Sequence, residues 1–476
     1  MKTKQKWINQ FIIGMWLCLV PPGLLASPEN PGSTRPPNVI YILADDLGYG
    51  DLGCYGQKHI QTPNLDELAR NGMRFTDHYS GSAVCAPSRM TLMTGRHIGH
   101  QKMSNQKQVL DAGEVTLGSV MKKAGYATAV IGKWGLSDLK LTTQCTGFPT
   151  RQGFDLWYGF ISQSKAHSYY PASIWKNGKV IPIPENEAVQ IVDNHHVGHE
   201  NGVYIHDRFT ETALGFIDEN KDQPFFIYLP YTIPHLDLIV PDDSLEPYSH
   251  FEETPFVHAG GKPHYCSQTR PRATYAGMIS RMDRDVGQIV ARLKELGLYE
   301  NTLIMFASDN GAACEPSWGG NDPEFFQGNG PLRGGKKDIH EGGIRIPFIA
   351  AWPKKIAPES VSGHVSAFWD VLPTLADLVG ADRPENVDGI SFLPTLLGQP
   401  DAQEQHAYLY WSFHGQAIRI GKYKGVMKKR NALQIFDLSQ DLHEDEDIVN
   451  KVPELASKMR SIMETMSAIR GRREWR

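Results

Sequence analysis

Two short segments constrain the fold more than anything else in the chain. Asn38-Val39-Ile40-Tyr41-Ile42-Leu43-Ala44 is a continuous apolar, β-branched run that stops at Asp45-Asp46. Thr302-Leu303-Ile304-Met305-Phe306-Ala307-Ser308 does the same and stops at Asp309-Asn310. Unbroken runs of this kind make central strands covered on both faces, because a strand with one wet face would alternate. Further strand runs at Ala127–Gly132 and Pro224–Leu229 are separated by helical patterns at Pro63–Asn71, Thr116–Ala124 and Tyr275–Leu296. Thr62 and Pro63 suit the N-cap and first helical position. Strands alternating with helices predict an α/β domain with a large doubly wound sheet flanked by helices. In such sheets the carboxyl ends of the strands form the ligand crevice, so the two acidic pairs can converge there.

The rest of the chain divides around this core. Residues 1–26 read as a signal peptide: three early lysines, an apolar run from Phe11 to Val20 and an end at Ala26. That run is too short to span a bilayer, so the expected location is periplasmic or secreted, with no membrane span after its removal. Residues 27–403 form the expected catalytic domain. From residue 404 the pattern changes to short strands at Ala407–Trp411, Ala417–Ile420, Gly425–Lys428 and Leu433–Asp437, then a helix over Pro453–Ser467. Residues 404–476 therefore read as a small antiparallel sheet plus helix. The 476-residue chain carries a formal charge of −5, or −8 once the three leader lysines are gone, which argues against nucleic-acid partners. Cys54, Cys85, Cys145, Cys266 and Cys314 remain after the leader. Five is odd, so at least one thiol is unpaired or converted; the other four allow up to two disulfides or none.

Asp45, Asp46, Asp309 and Asn310 offer oxygen ligands without His or Cys, a set suited to a hard cation, Ca²⁺ first and Mg²⁺ second. Either pair alone could equally cap a helix or make a turn. In Val84-Cys85-Ala86-Pro87-Ser88-Arg89, Pro87 suits a first helical turn and Gly95 a C-terminal stop. Cys85 then sits at a helix N-terminus, which favours anions. Lys133, His235 and Lys336 mean little by themselves.

Cys85-x-Pro87-Ser88-Arg89 with Thr94-Gly95-Arg96 resembles the signature of the type I sulfatases, members of the alkaline phosphatase-like superfamily. Asp45-Asp46-Leu47-Gly48, Gly132-Lys133-Trp134, Pro234-His235, Asp309-Asn310-Gly311, Gly335-Lys336 and Glu341–Pro347 resemble further family motifs in family order. The resemblance implies that Cys85 is oxidised to formylglycine (3-oxoalanine) by a formylglycine-generating or anaerobic sulfatase-maturating enzyme. One hydroxyl of the hydrate would attack sulfur, and the other would later expel sulfate. It further implies a mixed sheet of alkaline phosphatase type. The cation would be held by Asp45, Asp46, residue 85, Asp309 and Asn310. Arg89 would orient the hydrate, Lys133 and Lys336 would clamp the sulfate, and His235 would protonate the leaving alkoxide.

One position departs from the pattern. Many members read Gly-Lys-Trp-His, whereas Gly135 follows Trp134 here. The chain resembles a branch with glycine at that position, bacterial carbohydrate sulfatases. His97, His340 or the His167 segment are the expected substitutes for the missing imidazole. His167 and Tyr169 are expected at the leaving group, and His414 could close over it. The expected substrate is a sulfated sugar, with exo-removal of 4-O-sulfate from galactose or N-acetylgalactosamine as the leading choice. The rivals are a phosphomonoester or phosphonate hydrolase and an inactive protein that binds sulfated glycans.

Overall fold

A computed structural model describes residues 35–101, 109–137, 145–192, 195–198, 201–258, 265–315, 319–428 and 432–470. The signal peptide expected over residues 1–26 lies outside them. Both runs that end in acidic pairs are strands, Asn38–Ala44 and Thr302–Ser308, and every residue of each is buried. They lie side by side and parallel, Asn38 opposite Thr302 and Ala44 opposite Ser308. This register brings their carboxyl ends to the same level. Phe225–Pro230 pairs in parallel on the other side of Asn38–Ala44, followed by Ala127–Lys133 and Leu156–Phe160.

Ten strands make this sheet. It is mixed, because Phe348–Ala351 pairs antiparallel to Thr302–Ser308 and Ser173–Lys176 antiparallel to Leu156–Phe160. Alternate residues of each central strand feed two separate apolar clusters: Ile40 and Ile42 lie in one, Val39, Tyr41 and Leu43 in the other. The continuous apolar runs are thus explained by two covered faces. The long helix runs over Pro271–Glu295, one turn longer at its start than its apolar pattern suggests, because Pro271 occupies the first turn. Thr62 precedes the helix Pro63–Arg70 without a side-chain cap bond. Its hydroxyl instead accepts from Gly53 N at 2.8 Å and donates to Asp66 at 3.1 Å.

The C-terminal segment forms the expected four-stranded antiparallel sheet, Leu409–Ser412, Gly415–Ile420, Tyr423–Lys428 and Gln434–Asp437, followed by the helix Pro453–Arg470. Its Lys424 is fully buried and ties the sheet to the larger part of the fold. Lys424 Nζ lies 2.8 Å from Glu341 and 3.2 Å from Glu444. Burial opposes ionisation of Glu341, but Lys424, Arg345 and Arg419 overcome it and bring its pKa down to about 2. Among the described residues no disulfide joins Cys54, Cys85, Cys145, Cys266 and Cys314.

Candidate active site

Cys85 is the first residue of the helix Cys85–Thr94, and Gly95 closes that helix at φ 67°. Glycine takes left-handed backbone without a side-chain penalty, which suits Gly95 to the stop. Cys85 therefore stands over the carboxyl ends of the two acidic strands. Ligand atoms of Asp45, Cys85 and Asp309 lie within 4.8 Å of one another, as do those of Asp45, Asp46 and His235.

Each carboxylate is held by a specific partner. Arg89, one turn along the helix and fully buried, donates to Asp309 Oδ2 through Nε at 2.9 Å and Nη2 at 2.8 Å. Its remaining arm donates to the Lys133 carbonyl at 2.7 Å. Lys133 Nζ donates to Asp45 Oδ2 at 2.6 Å, and Lys336 Nζ to Asp46 Oδ2 at 2.5 Å. Asn310 donates to Asp46 Oδ1 at 2.8 Å, and the Asp46 amide, at φ 67°, donates to Asp309 Oδ1 at 3.1 Å. Arg89 thus fixes a carboxylate and the Lys133 carbonyl at the end of the strand Ala127–Lys133.

The electrostatics follow. Burial pushes the Asp45 carboxyl up, but Lys133, His235 and Arg89 outweigh it and hold it well below the ordinary range. Burial and the neighbouring Asp45 push Asp309 up to about 7 against Arg89. With Asp309 ionised, three carboxylates face three cationic side chains and the protein charges balance. Two oxygens are left over: Asp45 Oδ1 and Asn310 Oδ1 are buried with no hydrogen-bond partner. Unpartnered buried acceptors of this kind are costly unless a cation or donor meets them. The all-oxygen donor set and these two orphans fit a hard divalent ion.

His235 stands beside the two lysine–carboxylate pairs. Its Nδ1 bonds the Leu236 carbonyl, which places the ring proton on Nδ1 and leaves Nε2 as an acceptor, 3.0 Å from Lys336 Nζ and 3.4 Å from Asp46. Burial first, then Lys336, bring its pKa down to about 4. The His167 ring stacks on His235 at 4.3 Å between centroids. Burial pushes the Cys85 thiol up, against Lys133 and Lys336. An unmodified thiol here is neutral and a weak nucleophile.

Several expectations change at the side chains. Tyr169 is fully buried, and its hydroxyl donates to the carbonyls of Thr232, at 2.9 Å, and His235. It supports the His235 loop and does not line the pocket. His97 lies past the far end of the Cys85 helix, some 13 Å of helical rise away by ideal geometry, packed beside Trp369 and Tyr410. The amide of Gly99 donates to its Nδ1 at 3.1 Å, and its Nε2 faces Asp388 at 3.8 Å. His340 bonds Asp338 at 2.8 Å. His414 is exposed at the tip of a hairpin, its ring against Phe413. Of the expected substitutes, the His167 segment is the one that meets His235. Gly135 has its own cause: at φ +73° any L side chain would be strained, and a Cβ there would also have to displace the amide end of Gln163, 2.0 Å away.

Tyr265 was not signalled by any motif, yet its ring lies 5.9 Å from that of His167 and 6.4 Å from that of His235.

Comparison with known proteins agrees with this geometry. Residues 37–381 match the Sulfatase family model, and residues 335–470 match the model for the C-terminal part of N-sulphoglucosamine sulphohydrolase. The chain belongs to the sulfatase family and is a sulfuric ester hydrolase with the fold of the alkaline phosphatase-like superfamily. It is 34% identical over 430 residues to human arylsulfatase A, covering 84% of this chain and 76% of that protein. It is 28% identical over 506 residues to the N-acetylgalactosamine-6-O-sulfatase of Bacteroides thetaiotaomicron, covering 92% and 94%. The solved structure of Ps i-CgsB in complex with k-i-k-neocarrahexaose superposes with a TM-score of 0.75 at 30% identity, covering 93% of this chain and 95% of that one. Among the described residues no helix is long and apolar enough to cross a membrane.

Proposed function

We propose that the protein removes sulfate from sulfated carbohydrates, with exo-acting galactose or N-acetylgalactosamine 4-O-sulfatase activity as the leading specificity. The observation that carries the reading is the convergence of Cys85, two lysines, His235 and an oxygen-only ligand set at one strand-end crevice. The carbohydrate substrate is supported by the likeness to proteins named for sulfated sugars or solved with a carrageenan oligosaccharide. Cys85, converted to formylglycine by a maturation enzyme, is the nucleophile. The signal peptide expected over residues 1–26 would carry the enzyme to the periplasm or outside the cell.

Asp45, Asp46, Asp309 and Asn310, with residue 85 beside them, would hold a divalent cation, Ca²⁺ before Mg²⁺. Such an ion, when bound, would supply Lewis-acid charge stabilisation beside residue 85. With protein charges balanced, a divalent ion leaves the crevice net positive, which favours an anionic ester over a neutral one. Lys133 and Lys336 bind the sulfuryl oxygens through Nζ. Each is already oriented by a carboxylate, so little reorganisation is needed as charge develops. Arg89 keeps Asp309 aimed at the crevice. His235 directs Nε2 at the ester oxygen; in its imidazolium form, which the charge of a bound sulfate ester favours, it gives the Nε2 proton to the leaving alkoxide and returns to the neutral ring that donates from Nδ1 to the Leu236 carbonyl. His167 covers one face of the His235 ring and keeps water from it.

The test is sulfate release, read by ion chromatography, from a panel of defined sulfated mono- and oligosaccharides, with the enzyme co-produced with a maturation enzyme. Release from 4-O-sulfated galactose or N-acetylgalactosamine, absent in Cys85→Ala, is the expected outcome. Hydrolysis of phosphonate monoesters in preference to every sulfate would overturn it.

A further inference from the structure

We propose that Tyr265 is the platform on which the leaving group rests, selecting cyclic, flat-faced alcohols such as a pyranose; this rests on the reading of the site as a sulfatase centre. Any ester oxygen that receives its proton from His235 Nε2 must lie within hydrogen-bond reach of that atom, and the group it carries extends outward from there. The His167 ring occupies one face of His235, stacked at 4.3 Å and 30°. Tyr265 stands edge-on to His235, at 65° and 6.4 Å, and inclined by 37° to His167. The two half-buried rings make a corner beside His235. An aromatic face at this distance meets the carbon framework attached to the ester oxygen, where C–H groups of a sugar ring pack well.

Tyr265 is also held in place. The amide of Cys266, the next residue, donates to Asp237 Oδ1 at 2.9 Å, two residues beyond His235. Gln268 Nε2 donates to the Leu238 carbonyl at 2.7 Å, and Gln268 and Phe256 exchange backbone hydrogen bonds at 2.8 and 2.9 Å. The strand of chain bearing Tyr265 is thus laced to the loop bearing His235, so the ring is set at a defined distance from the reacting centre. Burial pushes the Tyr265 phenol up to about 12 against nearby Lys336.

The experiment compares the mature wild type with Tyr265→Ala and Tyr265→Phe on three sulfates: the best saccharide of the panel, an aryl sulfate and an acyclic primary alkyl sulfate. Inorganic sulfate serves as a product inhibitor that probes the clamp alone. An aromatic contact of this kind is worth about tenfold in affinity. Tyr265→Ala is expected to raise KM about that much for the two cyclic substrates, with kcat within about twofold. The alkyl sulfate and the sulfate inhibition constant should stay as in wild type, and Tyr265→Phe should behave as wild type throughout. Unchanged KM for the cyclic substrates overturns the proposal, and so does an equal rise for all three substrates and for sulfate. A wild type that acts on aryl but on no saccharide sulfate would count against the carbohydrate reading, while the aryl series still decides the role of Tyr265.

Discussion

Arg89 is the side chain on which the carboxylate cluster most depends, and removing its charge gives the clearest quantitative expectation. It is fully buried, makes two charge-assisted bonds to Asp309 and one to the Lys133 carbonyl, and lies 3.6 Å from Asp45. Arg89→Met fills similar space but leaves Asp309 and Asp45 with two cations for three carboxylates. Breaking a buried pair from one side costs about 3–5 kcal/mol, because the remaining charge stays desolvated. Arg89→Lys keeps the charge but cannot bridge Asp309 and the carbonyl together, so about half that cost is expected. The assay is urea unfolding in EDTA, so that no divalent ion compensates, followed by the same titration with Ca²⁺. The loss in Arg89→Met should shrink when Ca²⁺ is present, since the ion restores positive charge at Asp309. A stability within 1 kcal/mol of wild type in EDTA, or a loss that Ca²⁺ leaves untouched, would refute the reasoning.

Other perturbations have equally definite expectations. Lys336→Ala should lower kcat/KM by about 10²- to 10³-fold while the far-ultraviolet circular dichroism is unchanged; a loss below threefold would remove Lys336 from the sulfate clamp. His78 is buried against Phe348 with Nδ1 2.8 Å from Ser366, and burial brings its pKa down to about 3 from 6.5. The folded state then resists a proton that the unfolded chain accepts, so stability falls as pH drops below 6.5, by about 2 kcal/mol from this residue between pH 7 and pH 5. Between pH 7 and pH 5 the stability of wild type relative to His78→Phe should fall by that amount, and a constant difference would contradict it. Lys424→Met should cost about 3–5 kcal/mol by leaving Glu341 and Glu444 buried together, measured by denaturant unfolding at pH 7; Glu444→Gln in the same background should recover part of it.

The sequence displays the scaffold well and the walls of the pocket poorly. Asn38–Ala44 and Thr302–Ser308 are readable because a strand covered on both faces leaves an unbroken apolar record, and the acidic pairs are readable because they end those records. The helix of Cys85 is readable because Pro87 and Gly95 bracket it. Lys133, His235 and Lys336 carry no signal of their own; they come together only through the parallel register and the loops beyond it. Tyr169 and His167, two residues apart, illustrate the limit. Both sit in one aromatic stretch, yet one points into the interior to hold backbone carbonyls and the other lies on His235. Nothing in the residue types tells the two apart. Tyr265 escapes notice because its place depends on contacts to Asp237 and Leu238, remote in sequence. Gly135 looks like a missing catalytic group until its left-handed backbone, φ +73°, is seen to disfavour any side chain there.

The central claim is that residue 85 works as a formylglycine, and the mass of the tryptic peptide from Phe75 to Arg89, taken from protein purified from its natural source, tests it most directly. The account predicts an aldehyde or its hydrate in place of the thiol, in the same preparation that releases sulfate. An unmodified Cys85 in protein that still hydrolyses sulfate esters would contradict it.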